Sequence, residues 1–238
     1  MMRIMIPSRL ASTRVPQKAL VDIGGKVMIR RVVEQALLTG LPVTVCTDSQ
    51  LIKDAVSDLV EVVITESSIE NGTSRIAEVC KDLPLSEKII DVQGDDPFVD
   101  PDTILDVASK MENHKFGCFL PYSISKNPIV DSSKKSIVKV IPNFSGDKII
   151  YMSRHQYYHQ DVDVRKHSSV IGFINFTLQQ FRILPRSSIE ISESIELMRL
   201  VEHGHICYTW EMKGVRGISV DTQDDLQLVN NKFNAINS

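Results

Sequence analysis

Cysteine is scarce in this 238-residue chain, and Cys46, Cys80, Cys118 and Cys207 stand far apart with no Cys-x-x-Cys pair. That spacing argues against a zinc site or a disulfide-built scaffold and fits reduced thiols in a cytoplasmic protein. The first residues hold no long apolar stretch of the signal-peptide kind, and no later run approaches the roughly 20 apolar residues of a membrane span. No Pro-, Gly- or Ser-rich linker divides the chain, so its 42% hydrophobic content is expected to bury one large core in a single domain. A broad basic footprint is also missing: the net charge of −3 and pI near 6.1 argue against nucleic acid as a partner. Two nucleotide signatures are absent. Gly24-Gly25-Lys26 fails the Walker A pattern because Val27 replaces Ser/Thr and Leu20 stands at the first Gly position. The first strand is followed by Ser8-Arg9-Leu10-Ala11-Ser12-Thr13 rather than Gly-x-Gly-x-x-Gly, which excludes the dinucleotide fingerprint. His155, His159 and His167 lack the sequence context of a metal site.

What is present is a concentrated basic loop. The strand at 4–6 runs into a segment holding Arg9, Arg14 and Lys18, with no acid before Asp22. Ser12 and Thr13 are small, so backbone N–H groups and guanidinium forks can converge on phosphate oxygens, and a triphosphate suits this loop. A solvated basic loop is the plainer reading of the segment taken alone. A second apolar run, 88–92, ends in Gln93-Gly94-Asp95-Asp96-Pro97. Carboxylates at a strand end hold Mg2+ jointly with phosphate oxygens in enzymes that handle nucleoside triphosphates. A Gly-Asp turn explains Gly94 and Pro97 but not two acids. A third run, Gly217-Ile218-Ser219-Val220, ends in Asp221, and Thr222 with Asp225 has capping-box spacing that leaves Asp221 over.

These segments resemble, in order, the 3-deoxy-manno-octulosonate cytidylyltransferase family of the nucleotide-diphospho-sugar transferase superfamily. Residues 6–20 match its Ile-Pro-Ala-Arg-x-x-Ser-x-Arg-Leu-Pro-Gly-Lys-Pro-Leu opening, with Ser8, Val15, Gln17 and Ala19 as departures. Thr47-Asp48, Asn71-Gly72-Thr73-Ser74-Arg75, Gln93 to Pro97, Val138-Lys139-Val140, Tyr151-Met152-Ser153-Arg154, Lys166-His167, the Glu190/Glu193/Glu196/Arg199 spacing and Val220-Asp221-Thr222 continue the likeness along nearly the whole chain. The resemblance implies an α/β fold: a mostly parallel, Rossmann-like central sheet flanked by helices, with a smaller antiparallel insertion in the second half. It implies a nucleotide- and metal-binding half at 1–125, an acceptor and dimerisation insertion at 126–210, and a returning strand and C-terminal helix at 211–238.

The implied reaction transfers CMP from CTP to an acidic 2-keto-3-deoxy sugar for lipopolysaccharide synthesis, with Mg2+ as cofactor in a cytoplasmic homodimer. Arg9, Ser12, Arg14, Lys18, Gly72, Ser74 and Arg75 are expected at the nucleotide, with Lys18, Arg14 and Asp95 catalytic. Asp95 and Asp221 are expected at the metal, and Gln93, Arg154, His167, Glu190 and Glu193 at the sugar, with Arg154 on its carboxylate. Departures also occur on the acceptor side. Ser169-Val170-Ile171 stands where the family has Gly-Ile-Tyr, and a second Arg is absent from 155–160. Ile171 thus removes a phenol, so the distal end of the acceptor is expected to be read differently or less strictly. An amino-octulosonate or nonulosonate-type acid, or an inactive nucleotide-binding paralogue, are the alternatives.

Local patterns add detail. Helices are expected at 28–38, 49–56, 74–81, 192–204 and 223–233, and strands at 43–46, 62–64, 89–92 and 170–176. A hairpin is expected between 137–141 and 148–152. Asp100 and Pro101 start a further helix whose apolar face is Ile104, Leu105, Val107, Ala108 and Met111. Glu193, Glu196 and Arg199, at i, i+3 and i+6, read equally well as a solvated helix face.

Overall fold

The computed structural model describes residues 1–12, 14–155, 163–212 and 217–237; Thr13 and His159 lie outside them. Apolar strands alternate with amphipathic helices through the first half. β1 (Met2–Ser8) is followed by a 3-10 turn at Lys18–Leu20 and the small hairpin β2 (Asp22–Ile23) and β3 (Lys26–Val27). Then come α1 (Met28–Leu37), β4 (Val43–Thr47), α2 (Gln50–Val56), β5 (Glu61–Ile64), α3 (Gly72–Val79), β6 (Lys88–Val92) and α4 (Pro101–Met111). The second half adds β7 (Cys118–Ile124), α5 (Pro128–Ser133), β8 (Lys139–Pro142), β9 (Ile149–Ser153), β10 (Arg165–His167), β11 (Val170–Ile174), α6 (Asn175–Ile183), α7 (Ser188–Glu193), α8 (Met198–Glu202), β12 (Cys207–Glu211) and α9 (Gln223–Asn237).

One large mixed sheet carries the chain, in the order β5-β4-β1-β6-β11-β7-β10-β8-β9, with β12 also paired to β7. Its β5-β4-β1-β6 portion is parallel. β11 then enters antiparallel between β6 and β7, and the β8–β9 hairpin extends the far edge. The antiparallel strands of the second half therefore continue the parallel sheet. Both faces are covered. Ile4, Ile6, Ile90 and Val92 pack with α1, α2 and α4, whereas Met5, Ile89 and Phe173 pack with α3, α6 and α8. This two-sided burial follows from the side-chain alternation of strands that are apolar on both faces.

Capping chemistry sets several helix starts. Asn71 Oδ1 accepts from Ser74 N at 2.8 Å, and Asp100 with Pro101 opens α4. Some expected faces are narrower than the pattern suggests: Leu37 and Leu105 are exposed, while Ile104, Val107 and Met111 are buried. The expected strand at 170–176 stops at Ile174, where α6 begins. The expected helix at 192–204 is instead two helices, α7 and α8, broken at Ser194, whose φ is +53°. Ser194 is a left-handed stop that a helical period cannot reveal.

A second left-handed residue matters for the site. Gln17, which stands where the resembled family has Gly, has φ +47° and ψ +42° and turns the basic loop into the 3-10 turn that begins with Lys18. A side chain in this region costs roughly 1 kcal/mol that glycine avoids. Gln17→Gly is therefore expected to raise Tm by about 2–4 °C, the scale for a chain of this size. Differential scanning fluorimetry checks it, and an unchanged or lower Tm would show that the loop carries no such strain.

Candidate active site

The carboxyl ends of the parallel strands open into a cleft of about 920 Å3, the position where open α/β sheets bind their ligands. β1 delivers the basic loop, β4 delivers Asp48, and β6 delivers Gln93 to Asp96. Gly94 makes the close approach feasible, since a Cβ there would lie 2.9 Å from the Pro7 carbonyl oxygen.

At the mouth of the basic loop, charges from three segments meet. Lys18 Nζ donates to Asp95 Oδ2 at 2.6 Å and to Asp221 Oδ1 at 3.4 Å. Arg14 Nη2 donates to the same Asp221 oxygen at 2.9 Å. Arg14 is 55% exposed, so its pair with Asp221 adds little to stability and is easily exchanged for another anion. Arg9 donates to the Glu70 carbonyl, and Ser12 and Gly72 also line the cleft. Mg2+ ordinarily takes one or two carboxylates and completes its shell with phosphate and water. Asp95 and Asp221, joined through one ammonium, meet that requirement. Among the described residues no cluster of three or more acidic, His or Cys side chains forms a protein-only cage.

Two of the expected nucleotide residues have protein partners: Arg75, which lines the cleft, and Ser74, which does not. Arg75, 2% exposed, donates to the Thr65 hydroxyl, the Glu66 and Ile69 carbonyls and Asp48 Oδ2. Asp48 Oδ1 accepts from Leu10 N at 3.1 Å, so the pair ties the 65–70 loop to the basic loop. Ser74 is outside the cleft lining, and its N–H is spent on the Asn71 cap.

Asp96, the second of the paired acids, borders the cleft but is committed to protein donors. It is 1% exposed and accepts from Ser169 Oγ at 2.6 Å, Ile218 N at 2.9 Å and Phe98 N at 3.2 Å. Burial raises its pKa against these hydrogen bonds. A Cβ at Gly217 would run into its carboxylate. Asp96 thereby sets the 217–221 segment beside β6, helped by the bond from Val220 N to the Asp95 carbonyl at 2.9 Å. Asp225 Oδ2 accepts from Asp221 N, Thr222 N and Thr222 Oγ1 and so forms the expected cap, which leaves the Asp221 carboxylate turned to Lys18.

Gln93, Arg154, His167 and Ile171 line the same cleft, with Arg154 within electrostatic reach of Asp221 and Arg14. Surrounding protein, and then the charge of Arg154, push the His167 pKa down to about 4, so the imidazole is neutral at physiological pH. Glu190 lines the cleft, but its oxygens are taken by Arg199 at 2.6 and 2.8 Å and by Ser187 N in a complete capping box. Glu193, expected at the sugar, is not part of the lining. Its Oε2 accepts from Arg154 N at 2.7 Å and its Oε1 from the Tyr151 and Ser153 hydroxyls. Glu193 and Arg199 are buried, which excludes the solvated-face reading of their spacing.

The geometry agrees with known proteins along the whole chain. Residues 3–212 match the cytidylyltransferase family model. A 3-deoxy-manno-octulosonate cytidylyltransferase of Psychromonas ingrahamii is 32% identical over 95% of this chain and 96% of its own. That of Rickettsia bellii is 35% identical over 94% and 92%. The chain belongs to the 3-deoxy-manno-octulosonate cytidylyltransferase family. As a cytidylyltransferase it is a nucleotidyltransferase. A structure of CMP:2-keto-3-deoxy-manno-octonic acid synthetase complexed with CTP superposes with a TM-score of 0.89 at 29% identity, covering 99% of each chain. The 4-diphosphocytidyl-2C-methyl-D-erythritol synthase of Anaerococcus prevotii shares the fold alone, with a TM-score of 0.66 at 13% identity over 98% of each chain.

Beneath the cleft, sequence reasoning passed over Asp91. Fully buried on β6, it accepts from Gln93 Nε2 at 3.0 Å through Oδ2, while Oδ1 has no partner among the described residues. Burial, then the charge of Glu196, push its pKa well above the usual carboxylate range. An acid whose folded pKa is raised costs stability as pH climbs from the unfolded value through the folded one. Asp91→Asn is thus expected to raise Tm more at pH 8 than at pH 5. Thermal melts at both pH values check this, and an equal change at both would mean that the carboxyl does not titrate in that window.

Proposed function

We propose that the cleft transfers CMP from CTP to a hydroxyl of 3-deoxy-manno-octulosonate or a close 2-keto-3-deoxy sugar acid, with release of pyrophosphate. The carrying observation is a single cleft that brings the joined Lys18, Asp95 and Asp221 together with Arg154, His167 and Gln93. The printed names of the relatives in Psychromonas and Rickettsia and the CTP complex of the superposed synthetase support the same reading.

In this reaction the acceptor oxygen bonds to the α-phosphorus and its hydroxyl proton passes to solvent, while the Pα–O bond to the bridging oxygen breaks and pyrophosphate leaves with the electron pair. The protein's task is to align those atoms and to neutralise charge. Arg9 and Arg14 bind phosphate oxygens, and Arg14 exchanges its exposed pair with Asp221 for the triphosphate. Lys18 follows the charge that develops on the leaving group. Asp95 and Asp221 would hold Mg2+. When bound, that ion screens the two anionic substrates from each other and lowers the pKa of the attacking hydroxyl. Arg75, at the cleft wall, shapes the nucleotide loop with Asp48, and Glu190 braces α7 through Arg199.

On the acceptor side, Arg154 takes the carboxylate with its guanidinium fork. Neutral His167 and the Gln93 amide supply hydrogen bonds to hydroxyls. Ile171 leaves an apolar floor at the distal end. The reading assigns residues 1–125 to nucleotide and metal and 126–210 to acceptor and dimerisation, in a cytoplasmic homodimer. Exposed Ile150 on edge strand β9 and Phe144 in the preceding turn supply apolar surface in that second half.

Asp95→Asn and Asp221→Asn are each expected to cut turnover by orders of magnitude and to weaken Mg2+ binding to the CTP complex, with folding intact. Pyrophosphate release, calorimetric Mg2+ titration and circular dichroism read the three effects. Near wild-type turnover in either variant would remove that residue from the metal site. The acceptor half is tested with 3-deoxy-manno-octulosonate, distally modified analogues and the carboxamide of the parent sugar. Loss of one buried polar contact shifts discrimination by roughly 1–3 kcal/mol, so distal analogues are expected to be used as well as or better than the parent. The carboxamide is expected to fail. Strong preference for the unmodified parent would overturn the distal expectation, and turnover of the carboxamide at the parent rate would overturn the role of Arg154.

A further inference from the structure

Lys139 is fully buried on β8, and its ammonium donates to two backbone carbonyls, that of Lys134 at 2.8 Å and that of Arg154 at 2.9 Å. Burying a lysine is costly, and a link between two carbonyls alone does not require a charge. The surroundings give the charge a use. Arg154 N donates to Glu193 Oε2 at 2.7 Å, so the backbone of this one residue is held at its N–H by a carboxylate and at its carbonyl by an ammonium. The two carbonyls that follow Lys134, those of Lys135 and Ser136, accept from Arg154 Nη1 at 3.1 and 3.5 Å. Lys139 therefore fastens the root of Arg154 and the segment that steers its guanidinium with the same three-donor head group. Burial and then the positive charge of Arg154 lower the Lys139 pKa, opposed by Glu193 and Asp131. An anion arriving at Arg154 relieves the repulsion between the two cations.

We propose that Lys139 is a positioning residue for the acceptor carboxylate: it fixes Arg154 against the 134–136 segment and places a second positive charge behind the guanidinium. The proposal rests on the reading that Arg154 meets the sugar carboxylate.

The test is a kinetic double-mutant cycle of Lys139→Met and Arg154→Met in the full chain, with CTP and 3-deoxy-manno-octulosonate each varied. Lys139→Met is expected to raise the acceptor KM about tenfold, the scale of losing hydrogen bonds to a charged group, while the CTP KM stays unchanged. Arg154→Met should raise the acceptor KM further, and the double variant should be no worse than Arg154→Met alone. A purely structural role would raise both KM values together, or would add its full penalty in the Arg154→Met background, and either result overturns the proposal. So does an unchanged acceptor KM in Lys139→Met when Arg154→Met raises it, in which case the reading of Arg154 survives. If Arg154→Met itself leaves the acceptor KM unchanged, both the reading and the proposal fall. Should Lys139→Met not fold, Lys139→Gln, which keeps one donor without the charge, is put through the same cycle.

Discussion

The Lys18 ammonium is the contact on which the organisation of the cleft depends. It joins carboxylates that lie 77 and 203 residues away in sequence, one at the end of a central strand and the other just before the C-terminal helix. Without the cation, two acids at the mouth of a partly desolvated cleft would repel each other and drive the 217–221 segment from β6. Without the acids, the basic loop would have no fixed partner on that side. The same three side chains are also the chemical machinery of the proposed reaction. Their mutual neutralisation keeps a charged site folded, and exposed pairs such as Arg14–Asp221 can be exchanged for ligand at small cost.

Around this contact the protein spends several buried charged groups on orientation. Asp96 holds the 217–218 backbone, Arg75 and Asp48 hold the loops around the nucleotide end, and Glu193 and Lys139 hold Arg154. Each is satisfied largely by backbone or by a partner of opposite charge, as low-dielectric interiors demand. Asp91 is an exception, with one carboxyl oxygen lacking a partner among the described residues. The groups proposed to touch ligand are thus partly open, and the groups that aim them are buried.

Much of the fold was legible from local pattern. Strand runs apolar on both faces announced a covered parallel sheet, and capping signals placed the starts of α4 and α9. The misreadings were of a kind that periodicity cannot resolve. Ser194 breaks a helical repeat by its backbone angle alone, and α6 begins directly where β11 ends. β11 itself enters antiparallel between β6 and β7, a choice set by how the second half returns to the sheet. Gln17 occupies a left-handed position where the family resemblance expects Gly.

By itself the sequence determined the alternation of strands and helices, the basic loop after the first strand, and the acids at the ends of two later apolar runs. These are properties of residue type and short spacing, which survive without a partner. Only the tertiary structure decided which charged group faces the cleft and which faces inward. Asp95 and Asp96 are adjacent and chemically identical, yet one meets Lys18 and the other binds Ser169 and Ile218. Glu190 and Glu193 were read alike, yet one closes on Arg199 and the other on the backbone of Arg154. The direction of a carboxylate is set by donors that arrive from elsewhere in the chain, and those donors have no signature at the carboxylate's own position.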